Sequence, residues 1–192
     1  MFNVKKLAFG AAMLAASAVC FAAPKVEIVT SEGNIVVNLN EKAAPTTVAN
    51  FVKYAKEGFY NGTIFHRVIN NFMIQGGGFD RNLHQKSTHA PIKLEDKNGL
   101  KNTVGTIAMA RTNNPDSATS QFFINLKDND FLNGTSTKDG YAVFGEVVTG
   151  MDVVRKIGRA PTGSKGFMDD VPVSPVFIET DKNLNKLFKK KK

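Results

Sequence analysis

Residues 65–79 read Phe65-His66-Arg67-Val68-Ile69-Asn70-Asn71-Phe72-Met73-Ile74-Gln75-Gly76-Gly77-Gly78-Phe79, and no other stretch constrains this chain as strongly. Asn70-Asn71 favours a bend between two apolar runs, so Thr63 to Val68 and Phe72 to Gln75 are expected to be strands flanking it. The glycine run argues against a packed helix, because each glycine in a helix interior costs about 1 kcal/mol relative to alanine. A phosphate cradle is a second reading of Gly76-Gly77-Gly78, but no Lys-Ser/Thr pair follows and no helix pattern begins there. A tight backbone after a strand is the simpler account. The stretch contains one arginine and one glutamine, no carboxylate and no nucleophile with a partner base. A site built from it suits a neutral, partly apolar group and acts through hydrogen bonding and charge.

Outward from this stretch, strand signals dominate. Val26, Ile28, Ile35, Val37 and Leu39 alternate with polar residues around Ser31-Glu32-Gly33-Asn34, which predicts two strands and a tight turn. Thr46 and Thr47, after Pro45, are placed to cap a helix in which Val48, Phe51, Val52 and Ala55 recur at helical spacing until Gly58. Leu83 to Asn102 reads mostly as loop. Thr103 to Ala110, Gln121 to Asn125, Tyr141 to Val148 and Val173 to Glu179 read as further strands. Gly150 leads into a second, short helix with Val153, Val154 and Ile157 on one face. Many short strands with two distant helices predict an antiparallel β-barrel or sandwich capped by helices.

The chain ends carry separate messages. Lys5 and Lys6 precede an apolar run from Leu7 to Val19, and Cys20-Phe21-Ala22 resembles a cleavage site. Residues 1–22 are therefore expected to be a secretory signal rather than an anchor. Residues 23–180 are expected to form one domain and 181–192 a basic tail. Cys20 is the chain's only cysteine, so the mature protein would have no disulfide, thiol nucleophile or cysteine metal site. The formal charge of +8 is concentrated at the ends. Lys5, Lys6, Lys186 and Lys189 to Lys192 account for seven charges, leaving +1 on residues 23–185. A folded face for nucleic acid is not expected from that balance, nor is a membrane span in the mature form.

Several ordered segments together resemble one family. The block Phe65 to Phe79 is similar to the signature of cyclophilins, the cyclosporin-type peptidyl-prolyl cis-trans isomerases. Gly105 to Arg111, Ser120 to Asn125, Phe131-Leu132, Tyr141 to Gly145 and Pro45 to Phe51 resemble further family segments in the expected order, over about Val26 to Glu179. The resemblance implies an eight-stranded antiparallel barrel, filled with side chains, with two α-helical caps and an active groove on its outer surface. It implies that Arg67 is catalytic and that Phe72, Met73, Phe123 and Leu132 line a proline pocket. Gln75 and the main chain at Arg111 would bond substrate, Gln121 would complete the groove, and Ala110, Phe131 and Tyr141 would be further substrate-binding positions. No metal or other cofactor is implied.

Phe131 stands where many members carry tryptophan, Tyr141 where histidine is common, and Arg111 where asparagine is frequent. With a short loop after Gly78, these departures point to the bacterial exported branch and to weak cyclosporin binding. The expected protein is thus a monomeric periplasmic isomerase acting on proline-containing segments of exported proteins as they fold. The competing reading is a chaperone or adaptor that grips such segments without turnover. Phe65 and Phe122 are expected in the core. His66 is expected to be a hydrogen-bonded structural residue facing away from Arg67. His84 and His89 are too far apart to suggest a metal site, and Asp169-Asp170 reads as a solvated loop.

Overall fold

Alternating apolar residues build the first hairpin as expected. Strand β1 (Lys25–Thr30) buries Val26 and Ile28, and β2 (Gly33–Leu39) buries Ile35, Val37 and Leu39. The structure, a computed structural model, describes residues 24–179, so the expected signal and basic tail lie outside the described residues. After helix α1 (Pro45–Lys56) come β3 (Thr63–Ile69), β4 (Met73–Asp80), β5 (Thr106–Met109), β6 (Phe122–Asn125) and β7 (Val143–Thr149). Helix α2 (Met151–Gly158), β8 (Thr162–Lys165), β9 (Met168–Pro172) and β10 (Phe177–Glu179) complete the order. Eight strands close an antiparallel barrel in the order β1-β10-β3-β4-β6-β5-β7-β2. Among the described residues no helix is long and apolar enough to cross a membrane.

Three local differences from the sequence reading have physical causes. Strand β4 does not stop at Gln75 but runs through the glycine triplet to Asp80. Gly77 has φ +83°, and a Cβ there would stand 2.8 Å from Phe122 and 2.9 Å from Tyr60. Glycine lets this strand press against the aromatic core. The cap of α1 is also different. Pro45 starts the helix, so Thr46 and Thr47 present first-turn N–H donors instead of capping hydroxyls. The Glu95 carboxylate accepts from Thr46 N (3.1 Å), Thr47 N (2.8 Å) and Thr47 Oγ1 (2.7 Å). Burial alone would raise its pKa, but these hydrogen bonds outweigh it and the pKa is lowered. Finally, β8 and β9 form a hairpin outside the barrel, and Asp169-Asp170, expected in a loop, lies on its second strand.

The barrel is filled. Phe51 of α1 packs its ring 5.5 Å from Phe122 and 5.2 Å from Phe144, with Tyr54, Tyr60 and Phe65 buried in the same cluster. Full burial of one such side chain is worth about 1.5–3 kcal/mol. A bulge decides who joins it. Phe65 pairs with Gly76 while Arg67 pairs with Gln75, so His66 is an extra residue in β3. Strict alternation would place Phe65 and Arg67 on one face. The added residue separates them, and Phe65 is fully buried while Arg67 is exposed.

His66 pays for that arrangement: it is only 4% exposed, its ring lies 4.7 Å from Phe79, and its Nδ1 lacks a hydrogen-bond partner among the described residues. Burial lowers its pKa to about 4, against an opposing bond with the Ile64 main chain and with a smaller push from the Arg67 charge. The expected hydrogen-bonded histidine is therefore only partly satisfied.

Two stability predictions follow from these groups. His66 is neutral in the native state down to about pH 4, whereas the unfolded group protonates near 6.5, so its contribution is complete above pH 6.5 and is lost as pH falls towards 4. Between pH 7 and 4.5 this amounts to roughly 2–3 kcal/mol. In urea titrations at both pH values, His66→Leu is expected to show a smaller acid loss by about that amount. The lowered Glu95 pKa has its contribution present above the unfolded carboxyl value and lost as pH falls through the folded one. Glu95→Ala is expected to cost about 1–2 kcal/mol at neutral pH, read as a reduced urea midpoint, and less in acid.

Candidate active site

Cross-strand register assembles the site. Arg67 of β3 faces Gln75 of β4, Gln75 faces Phe123 of β6, Phe123 faces Ala108 of β5, and Ala108 faces Val143 of β7. Directly paired residues in an antiparallel sheet share a face. The row therefore runs across five strands on one face, while the neighbouring row of Phe65, Gly76, Phe122 and Met109 fills the interior. Guanidinium, amide and apolar floor lie in one line.

Behind the two polar residues is an apolar cluster separate from the barrel core. Met73, Ala108, Phe123, Leu132 and Val143 are buried in it, with Phe72, Ala110 and Tyr141 packed against them and partly open. Phe123 and Tyr141 meet edge to face at 5.6 Å. Phe131 is 57% exposed and stacks on Phe72 with ring centroids 5.6 Å apart, so it forms rim rather than floor. Ala108 and Val143 were not singled out in the sequence, because buried small and branched residues on strands read as ordinary core.

The polar side of the site is held by neighbours. Gln75 Nε2 donates to Gln121 Oε1 at 3.0 Å. Gln121 lies so close over β4 that a Cβ at Gly78 would stand 2.4 Å from its Cγ. The last glycine of the run thus makes room for the amide pair. Arg111 is fastened along the opposite rim. Its Nε donates to Gly140 O (2.9 Å), its terminal nitrogens donate to Thr112 O and Asp139 O, and its guanidinium lies 4.7 Å from the Tyr141 ring centre. Strand register, the glutamine pair and the side-chain contacts thus link the eleven residues expected from the sequence in one connected set, from Arg67 to Arg111.

Two supports went unseen in the sequence. Asn102, Asn125 and Asn129 are almost wholly buried and linked. Asn129 Nδ2 donates to Phe72 O (3.0 Å) and Asn125 Oδ1 (2.8 Å), and Asn125 Nδ2 donates to Asn102 Oδ1 (3.1 Å). Asn102 Nδ2 reaches Leu132 O and Tyr141 O, each at 3.3 Å. The network ties together the main chain at three of the pocket positions. The second support corrects the reading of Asp169-Asp170 as solvated loop. Asp169 Oδ1 accepts from Ser164 Oγ at 2.6 Å, and Asp170 Oδ2 stands 3.7 Å from Arg67 Nε. The β8–β9 hairpin, with Gly166 at its turn, delivers both. Gly166 between two polar segments was the available signal, but alternation is too weak there to reveal strands.

Comparison with known proteins gives the family. The family profile described as "Cyclophilin type peptidyl-prolyl cis-trans isomerase/CLD" matches residues 25–182. A peptidyl-prolyl cis-trans isomerase of Acinetobacter baylyi is 57% identical over 175 residues, covering 91% of this chain and 93% of the relative. Peptidyl-prolyl cis-trans isomerase B of Escherichia coli is 60% identical over 154 residues, covering 79% and 94%. Among solved structures, a Cryptosporidium parvum cyclophilin type peptidyl-prolyl cis-trans isomerase, crystallised in the presence of the dipeptide Ala-Pro, superposes with a TM-score of 0.68 at 26% identity. That match covers 81% of this chain and 96% of the other. A closed eight-stranded barrel, a profile spanning nearly all described residues and relatives of this identity lead to one statement: the chain belongs to the cyclophilin-type peptidyl-prolyl cis-trans isomerases.

Proposed function

We propose that this isomerase works through Arg67, with the proline ring held on the apolar floor formed by Met73, Phe123 and Leu132 and walled by Phe72 and Tyr141. The observation that carries this reading is the register row, which sets Arg67 and Gln75 beside that floor on one barrel face. Rotation about an X-Pro bond crosses roughly 18–20 kcal/mol because amide resonance must be broken. Uncatalysed, it takes tens to hundreds of seconds. At mid-rotation the prolyl nitrogen regains its lone pair. A donor aimed at that nitrogen stabilises the twisted state and not the planar one, as differential binding requires. Arg67 supplies a permanently charged fork of N–H donors.

One charge-assisted bond contributes about 1.5–3 kcal/mol, or about ten- to a hundredfold in rate. The remainder has to come from preorganisation. The Gln75–Gln121 pair and the asparagine network keep the walls still while one side of the bound peptide rotates. Gln75 and the main chain at Arg111 hold the flanking residues, and Ala110 and Phe131 border them. No proton is transferred and no covalent intermediate forms. The two helices close the barrel ends, Phe51 and Tyr54 of α1 and Val154 and Ile157 of α2 being buried in the interior cluster.

The cellular setting belongs to the same reading. The basic residues Lys5 and Lys6, the apolar run after them and Ala22 support export through a cleaved signal, and hence a periplasmic role on folding exported proteins. A monomer is proposed as the working form. The lysines at 189–192 have no part in the proposed machinery.

Arg67→Ala is expected to lower the catalysed exchange of a short X-Pro peptide at least tenfold while leaving the thermal midpoint within a few degrees of wild type, since the side chain is exposed. Equal exchange rates, measured by NMR line shape or a protease-coupled assay, would remove the role given to Arg67. Deleting Lys189 to Lys192 is expected to leave turnover on small peptides unchanged, and a large drop in that assay would make the tail part of the site.

A further inference from the structure

We infer that Asp170 is a positioning residue for the reaction, acting through Arg67 from the hairpin outside the barrel. The inference rests on the role proposed for Arg67. Asp170 Oδ2 lies 3.7 Å from Arg67 Nε, on the inner edge of the fork, which leaves the terminal NH groups for a substrate. Among the described residues this is the ion pair recorded for Arg67. Gln75, its cross-strand partner, has its amide nitrogen committed to Gln121.

The hairpin is built to hold that carboxylate in place. Val171, the next residue, is buried against Ile64 of β3 and Leu83, with Met168 and Phe177 packed beside them. Strand β9 therefore lies on the outer face of β3 through an apolar clamp one residue from the carboxylate. Gly163 pairs with Val171 and Thr162 with Pro172, which fixes the hairpin register on its other side. Asp170 itself has φ +59°, a left-handed conformation that most residues adopt only at a cost and that aspartate and asparagine tolerate best. A backbone held in that region, beside a clamped valine, aims the side chain at the guanidinium. Asp169 does not compete, because it accepts from Ser164 on the hairpin's own surface.

An arginine on a long flexible stem samples many rotamers when free. A fixed anion at Nε narrows that set before substrate arrives, so the terminal N–H groups are already oriented when the prolyl nitrogen becomes basic. Both side chains are partly exposed, 44% for Arg67 and 41% for Asp170. Exposed ion pairs are weak and screened by salt, which bounds the effect at about two- to fivefold in rate.

The test is Asp170→Asn, which keeps shape and left-handed tolerance and removes the charge. On an X-Pro peptide followed by NMR exchange, kcat is expected to fall about two- to fivefold with the peptide dissociation constant and the thermal midpoint unchanged. Raising salt is expected to bring wild type towards the variant. The Arg67 Nε–H resonance is expected to exchange faster with water in the variant. In the Arg67→Ala background the same substitution is expected to have no effect on the residual rate. Unchanged kcat, a loss confined to peptide affinity or stability, or an equal loss in the Arg67→Ala background would each overturn the inference. Full activity in Arg67→Ala alone would instead remove the underlying role of Arg67, so the two failures are distinguishable.

Discussion

A single extra residue in β3 governs the relation between core and site. With His66 inserted, Phe65 enters the aromatic interior and Arg67 emerges beside the apolar cluster on the opposite surface. Without it, the two-residue period would force both side chains to one face. Either the core would lose an aromatic ring, at a cost of about 3–5 kcal/mol on truncation, or the guanidinium would be driven into an apolar interior, where an unpaired charge costs far more. The bulge resolves that conflict, and a buried histidine with an unpartnered nitrogen is the local consequence. Strain of this kind is commonly concentrated at sites where function needs a side chain re-aimed.

The surrounding elements reinforce one geometry by different means. Glycines at 77 and 78 allow β4 to touch the core rings on one side and Gln121 on the other. A buried asparagine network fastens the main chain behind Phe72, Leu132 and Tyr141. The network is not complete, since Asn129 Oδ1 has no partner among the described residues, but the hydrogen bonds that are made hold the main chain at these three positions. The catalysis of bond rotation needs no acid, base or nucleophile. It needs a wall that stays still and a donor that strengthens its contact only at mid-twist.

Most of the barrel was legible in the sequence because its strands alternate or run as short apolar segments bounded by turn residues. Val26, Ile28, Ile35 and Val37 are the clearest case, since one buried face leaves a period of two. The expected site residues came from another source, the ordered motifs similar to one family, and not from periodicity or composition. Local physics alone assigns Met73 and Phe123 to a core, and they are indeed buried, though in the cluster outside the barrel. What sequence missed depends on distant partners. Glu95 caps a helix about fifty residues upstream, and the pairing of Asp170 with Arg67 joins residues about a hundred positions apart. No local pattern encodes either. The hairpin of β8 and β9 was invisible because its outer strand is exposed along its whole length and shows no alternation.

The most direct measurement of the central claim is a crystal structure of residues 23–192 with a short X-Pro peptide bound. The account predicts the pyrrolidine ring against Met73, Phe123 and Leu132, with an Arg67 terminal nitrogen within hydrogen-bond reach of the prolyl nitrogen and Gln75 contacting the flanking main chain. A ring seated elsewhere on the barrel, or a guanidinium turned away from the imide in an occupied pocket, would contradict it.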